Sequence, residues 1–322
     1  MRDRETPALS PRRIAFKGGP ANPLRRDALR VGAGLVAGMA LPGLAAAALI
    51  ERPIPTSGES LPAVGLGTWQ SFDVAGDAAA TASAREVLQL FAAGGGRLVD
   101  SSPMYGSAES LVGDLATELG VQGRLFHATK VWTGGREAGI AQMEASLRRM
   151  RVPRMDLMQV HNLVDVHTHL RTLREWKRLG RVRYIGITHY HSGAYADLER
   201  LMRSEELDFV QFNYSLAEPD ADRRLLPLAA ERRLAVIVNR PFAEGALFDR
   251  VRGKPLPELA RAIGCDSWAQ LFLKWILGQP AVTCVIPATR NPKHMIDNLG
   301  AAVGPLPDAA LRRQIAAHLE KI

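Results

Sequence analysis

From position 51 onward the chain alternates between two kinds of apolar pattern. Short, nearly continuous apolar runs cover 64–69, 97–100, 125–131, 156–161, 182–188, 209–212, 234–238 and 282–286. Runs of that length, bounded by glycines and polar residues, read as strands buried on both faces. Between them lie longer segments whose apolar residues recur every three to four positions. In 78–93, Val87, Leu88, Leu90 and Phe91 form one helical face and Gly94 to Gly96 stop it. Similar segments occupy 109–119, 136–150, 170–179, 195–202, 221–231, 267–277, 293–299 and 308–319. Strands that each feed a helix predict an α/β fold with a parallel sheet. Eight such units over roughly 270 residues predict a closed (β/α)8 TIM barrel, a single domain spanning 51–322, rather than two doubly wound domains.

Composition changes this picture mainly at the N-terminus. With 322 residues and 47% apolar content the chain can bury a large core, which excludes disorder for its bulk. The net charge of +8 resembles a nucleic-acid footprint until it is located. Eight basic and three acidic residues precede Glu51, so most of the excess lies in the first 50 residues. The body has no basic run interleaved with aromatics, and no nucleic-acid partner is expected. Cys265 and Cys284, the only cysteines, make neither a disulfide framework nor a CxxC metal site.

Residues 1–50 stand outside the barrel pattern. A polar, basic opening ends in Arg25-Arg26, and Val31 to Ile50 carries no charge. Ala45 to Ala48 offer an A-x-A-like cleavage site. This segment resembles a twin-arginine (Tat) export signal, with Ala28 where that signal prefers an aromatic residue. It implies the Tat machinery as a partner and a periplasmic location. An uncleaved leader would anchor the protein instead, since ~20 apolar residues can span a bilayer. Gly32-Ala33-Gly34 with Gly38 imitates a dinucleotide fingerprint but follows no strand.

Candidate chemistry collects where the strands end. The second strand ends in Asp100, and Tyr105 follows in a short loop ahead of a helix that Ser107 and Glu109 would start. The third ends in Thr129-Lys130, the fourth in Gln159-Val160-His161, the fifth in Thr188-His189, the sixth in Gln211-Phe212-Asn213 and the seventh in Asn239-Arg240. Each has an ordinary alternative: an Asp as a turn former, a Tyr as a packed aromatic, a His as a core residue. A lysine ending an apolar strand is harder to dismiss, because a cation there needs a partner. A tyrosine titrates near ~10, a neighbouring ammonium lowers that value, and a carboxylate keeps the lysine charged. Tyr105 is thereby expected to become a usable acid for a carbonyl oxygen that neutral His161 orients.

In sequence order, Gly65-Leu66-Gly67-Thr68-Trp69, Val99-Asp100 through Tyr105-Gly106 with Glu109, Thr129-Lys130-Val131-Trp132 and Asp156 to His161 resemble the motifs of the aldo/keto reductase family. The resemblance covers about 61–299. It implies that Asp100, Tyr105, Lys130 and His161 form a catalytic tetrad with the tyrosine as proton donor. It also implies NADPH bound across the barrel mouth without a Rossmann fold. The positions that hold the nicotinamide carboxamide in the family are Thr188, His189 and Gln211 here, so an expected asparagine has become His189. The aromatic that stacks on the nicotinamide is replaced by Asn239, followed by Arg240. The segment that grips the adenosine phosphate corresponds to Thr289, Arg290, His294 and Asn298, with His294 where many members carry arginine. Arginine binds phosphate bidentately and histidine cannot, so NADP preference rests on Arg290 and Lys293. Trp69, Met104, Trp132 and Phe242 would wall a pocket for aldehydes or ketones with an apolar body.

Two other classes compete. His167-Thr168-His169 and His189-Tyr190-His191 have the His-x-His spacing of metal-dependent barrel hydrolases, but they follow the fourth and fifth strands and not the first, and no metal is expected. A non-catalytic barrel binding NADPH as a sensor, or binding a protein partner, would not need the tetrad intact. Because an exported compartment is not expected to supply NADPH, the barrel is expected to fold and load its cofactor before export.

Overall fold

The computed structural model describes residues 48–322, and the structural statements here concern those residues; the leader and its arginine pair lie outside them apart from Ala48 to Ile50. An antiparallel hairpin, β1 (Glu51–Pro53) and β2 (Ser60–Pro62), comes first. Eight parallel strands follow in sequence order: β3 (Leu66–Gly67), β4 (Leu98–Asp100), β5 (Phe126–Val131), β6 (Met155–His161), β7 (Val182–Thr188), β8 (Phe209–Asn213), β9 (Ala235–Asn239) and β10 (Val282–Val285). Parallel bridges Val64 to Val285 and Gly67 to Ala288 join the first strand to the last and close the barrel. At the seam the Gly65 amide donates to the Val285 carbonyl at 2.8 Å. A Cβ on Gly65 would lie 2.8 Å from the Leu98 carbonyl oxygen of β4, so only glycine lets this segment lie so close to its neighbouring strand.

Alternate residues of each strand point inward, and these form two layers of opposite character. Leu98, Phe126, Leu157, Tyr184, Phe209 and Ala235, near the strand starts, make an apolar stem. Ile54 and Leu61 from the hairpin join that cluster and cover its lower end, a role the sequence pattern did not predict. Tyr184 Oη lies 2.8 Å from both Glu59 and Ser57, donating its one proton to the carboxylate and accepting from the serine hydroxyl, which ties the hairpin to β7. One step further along, Asp100, Lys130, Gln159 and Gln211 form a buried polar layer. The fold thus places its polar interior at the carboxyl ends of the strands.

Most expected elements lie within two or three residues of their predicted bounds. The exceptions have local causes. The stretch 241–257, to which the apolar pattern assigns no element, contains the helix Ala246–Arg250, whose Leu247 packs with Val251 and Phe272. Ser107 precedes the helix Ala108–Glu118 but does not cap it, because its hydroxyl donates to Asp73 Oδ1 at 2.8 Å.

That helix is held by a buried carboxylate. Glu109 accepts from Thr129 Oγ1 on β5 at 2.5 Å and from Arg149 Nε, at the end of the helix Arg136–Arg149, at 2.7 Å. One acid therefore fixes two helices to the strand that bears Lys130. Glu109→Ala leaves Arg149 and Thr129 without their acceptor and is expected to cost about 3 kcal/mol in urea unfolding. Glu109→Gln, which keeps an acceptor oxygen, is expected to lose about half as much; equal losses would show that the charge alone matters.

Candidate functional site

The strand ends surround a cleft of about 960 Å³ at the barrel mouth. Its border includes Asp100, Tyr105, His161, Thr188, Gln211, Asn239, Arg240, Thr289 and Arg290 among the residues expected to act there. Trp69, Met104, Trp132 and Phe242 form its apolar wall. Trp69, Met104 and Trp132 are 41, 39 and 41% exposed, which separates them from core packing. Tyr190 and Phe248, which the sequence reading left unassigned, add two exposed rings to the same wall.

The floor is built around Asp100. Lys130 Nζ, fully buried, donates to Asp100 Oδ2 at 2.5 Å and to the Ser101 carbonyl at 2.8 Å. Gln159 Nε2 and Gln211 Nε2 donate to Asp100 Oδ1 at 3.2 and 3.0 Å. The carboxylate is therefore satisfied on both oxygens, as a charge in the interior must be. Burial is the largest single influence on Lys130 and works against its charge, but Asp100 and Tyr105 together outweigh it and raise the lysine pKa.

Tyr105 sits over this pair, its ring centroid 5.1 Å from Lys130 Nζ and 5.9 Å from the His161 ring in an edge arrangement. Its loop is pinned from behind. Asp73 Oδ1 accepts from the Ser107 amide at 2.9 Å, and Gly106 takes φ +55°, where a Cβ would strike the Asp73 carboxylate at 2.3 Å. The expected lowering of the Tyr105 pKa does not occur. Burial is the largest influence and raises it, Lys130 opposes, and Asp100 reinforces the rise. Tyr105 is thus held protonated throughout the neutral range, as an acid and not as a phenolate.

His161 ends β6 with its Nδ1 3.0 Å from Ser102 Oγ, a partner that sequence reasoning missed. Ser102 stands in the Ser-Ser-Pro run after Asp100, and nothing in that run points to the histidine. Burial, then the Lys130 charge, then His189 push the His161 pKa down to about 2. Its folded pKa lies below the unfolded value of ~6.5, so its neutral form stabilises the protein above that pH and the contribution fades as pH falls. Between pH 6.5 and 5 the loss is at most about 2 kcal/mol. Denaturant unfolding at pH 7 and 5 should show a smaller acid loss in His161→Gln than in the wild type; identical losses would place the acid sensitivity elsewhere.

Gln211 also accepts at Oε1, from Thr188 Oγ1 and Asn239 Nδ2, each at 3.2 Å. Asn239 therefore lies within the polar network, while its Oδ1 is buried without a donor among the described residues. Lys130 lies beneath the cleft surface. His189, His294 and Asn298 do not border the cleft. His189 stacks on Tyr190 with ring centroids 5.3 Å apart, His294 is on the exposed helix start, and Asn298 is buried in the helix Pro292–Gly300. Arg290 borders the cleft and makes no ion pair among the described residues. Arg240, also at the border, has its Nε 3.3 Å from Glu244.

The first His-x-His pair lies in the helix Val166–Arg178 and is held by local partners. His169 Nε2 bonds the Thr133 carbonyl at 2.6 Å and His167 meets Glu205 at 3.0 Å. Among the described residues no group of three histidine, cysteine or acidic side chains is arranged to hold a metal ion. Among them also, no helix is long and apolar enough to cross a membrane.

The "Aldo/keto reductase family" model matches residues 63–318. Methylglyoxal reductase YeaE of Escherichia coli is 27% identical over 258 residues, spanning 77% of this chain and 88% of the relative. Aldo-keto reductase YhdN of Bacillus subtilis is 23% identical over 275 residues, 72% of this chain and 82% of that one. An aldo/keto reductase from Klebsiella pneumoniae, solved in complex with NADP and acetate, has a TM-score of 0.68 at 22% identity and covers 81% of this chain and 93% of its own. The thermostable aldo-keto reductase Tm1743, solved with the inhibitor epalrestat, has a TM-score of 0.69 at 22% identity, covering 84% of this chain and all of its own. With a family model matched across nearly the whole barrel and the four expected motifs meeting at one cleft, the chain belongs to the aldo/keto reductase family of oxidoreductases.

Proposed function

We propose that this protein reduces aldehydes or ketones to alcohols with NADPH, and that Tyr105 gives the proton to the carbonyl oxygen. The observation that most supports the reading is the buried Lys130–Asp100 pair beneath a protonated tyrosine and a neutral histidine at the floor of an apolar-walled cleft. Tyr105 and His161 both face the place where a carbonyl oxygen would sit. His161 donates a hydrogen bond to that oxygen and Tyr105 transfers its proton as negative charge develops there. Lys130, held charged by Asp100, stabilises the phenolate that remains.

The residues present fit the cofactor. Asn239 Oδ1 is a buried acceptor without a donor, next to Thr188 and Gln211, and a nicotinamide carries a primary amide that can donate. Arg290 stands at the cleft border beside the helix Pro292–Gly300, whose start is capped by Asn291, a combination suited to phosphate. When bound, NADPH supplies the hydride that reaches the carbonyl carbon. His294 and Lys293 lie off the cleft border, so discrimination for the 2′-phosphate falls to Arg290.

The test is NADPH and NADH oxidation against aliphatic and aromatic aldehydes and ketones, with methylglyoxal included because of the E. coli relative's name. Turnover is expected with apolar aldehydes, and faster with NADPH than with NADH. Protein that binds NADPH yet consumes none with any carbonyl would replace this reading with a sensor. For the leader we propose export of the folded, NADPH-loaded barrel by the twin-arginine route; protein recovered from the periplasm without bound nucleotide would count against it.

A further inference from the structure

We propose that Ser102 is a positioning residue that sets which ring nitrogen of His161 carries the proton. A neutral imidazole holds one proton, and it can assist a carbonyl oxygen only from a nitrogen that both faces the cleft and bears that proton. The protein contacts of His161 distinguish its two nitrogens. Nδ1 lies 3.0 Å from Ser102 Oγ, and Ser102 is fully buried. Nε2 makes no hydrogen bond to protein among the described residues, and the ring borders the cleft.

The hydroxyl decides the direction of the bond. Ser102 Oγ already accepts from the Met104 amide at 3.3 Å. Its own proton has one acceptor within reach among the described residues, His161 Nδ1. If Nδ1 carried the proton, Ser102 Oγ would accept twice and its O–H would be buried with no acceptor. With the bond running from Ser102 Oγ–H to Nδ1, both groups are satisfied and the ring proton is placed on Nε2, toward the cleft. The same serine accepts from the backbone just ahead of Tyr105, so one side chain ties the donor loop to the orienting ring. Its role is indirect, through the ring, and it makes no contact with substrate.

This inference rests on the carbonyl-reductase reading, and its test separates the two. In full-length protein labelled with 15N-histidine, the His161 signals are identified by their loss in His161→Gln. The wild type is expected to show Nε2 protonated and Nδ1 as a hydrogen-bonded acceptor. In Ser102→Ala the Nδ1 signal should move to that of an unbonded or protonated nitrogen. At the same time kcat should fall about tenfold, with the KM and the NADPH dissociation constant little changed. Ser102→Thr, which keeps the hydroxyl, should recover both signal and rate. A wild-type proton on Nδ1 overturns the proposal whatever the variants do. So does Ser102→Ala with unaltered ring signals or unaltered kcat. Absent turnover in the wild type would instead remove the reductase reading, while the ring spectrum would still decide the tautomer.

Discussion

Tyr105→Phe should reduce NADPH-dependent carbonyl reduction by about a thousandfold, the scale of a lost general acid, while the dissociation constant for NADPH stays within about threefold. The substitution removes one hydroxyl and little else. The ring's edge contact with His161, centroids 5.9 Å apart, and its position 5.1 Å from Lys130 Nζ both survive in phenylalanine. Loss of rate with retained binding would therefore report the proton and not the shape of the site. The pH dependence follows from the raised Tyr105 pKa. Reduction, which needs the protonated phenol, should be level through neutral pH and decline only in strong alkali. Alcohol oxidation, which needs the phenolate, should climb with pH. A phenylalanine variant keeping more than a tenth of the wild-type rate would mean that another group gives the proton.

Lys130→Met should have the second largest effect, and on two quantities at once. It removes the cation from a buried carboxylate, leaving Asp100 with donors only from Gln159 and Gln211. Breaking one partner from a buried pair costs about 3–5 kcal/mol, which should appear as a fall in denaturant midpoint. The rate should fall by about a hundredfold or more, because the phenolate left by proton transfer loses its counter-charge. The double variant Lys130→Met, Asp100→Asn tells the two effects apart. It leaves no unpaired charge, so most of the stability should return, whereas turnover should not. If the double variant were as unstable as the single one, the loss would be one of packing around the methylene stem of Lys130. If it regained turnover, the pair would have no part in the chemistry.

The barrel was legible because its strands are buried on both faces and its helices on one, so the two apolar periods differ along the chain. The catalytic candidates were legible for a related reason. Asp100, Lys130 and His161 are polar residues closing apolar runs, and each run ends at the same rim. What escaped notice depends on three-dimensional closure. The hairpin strands Glu51–Pro53 and Ser60–Pro62 hold three residues each, too short for a period to show. Ser102 lies 59 positions from His161, and no local pattern links a turn serine to a distant ring. The Tyr105 pKa shifts opposite to the sequence expectation because charge neighbours can be read from a motif but the depth of burial cannot. His189 and His294 occupy the expected positions in the chain while their side chains lie off the cleft border.

The apolar stem also governs how the site is reset. Each reduction would leave Tyr105 one proton short, and Leu98, Phe126, Leu157 and Phe209, covered by Ile54 and Leu61, offer that proton no polar route through the barrel axis. Resupply must come from solvent through the opening by which the alcohol departs. Traffic at the mouth is therefore shared, and a bulky alcohol slow to leave would delay recharging of the acid as well as its own release.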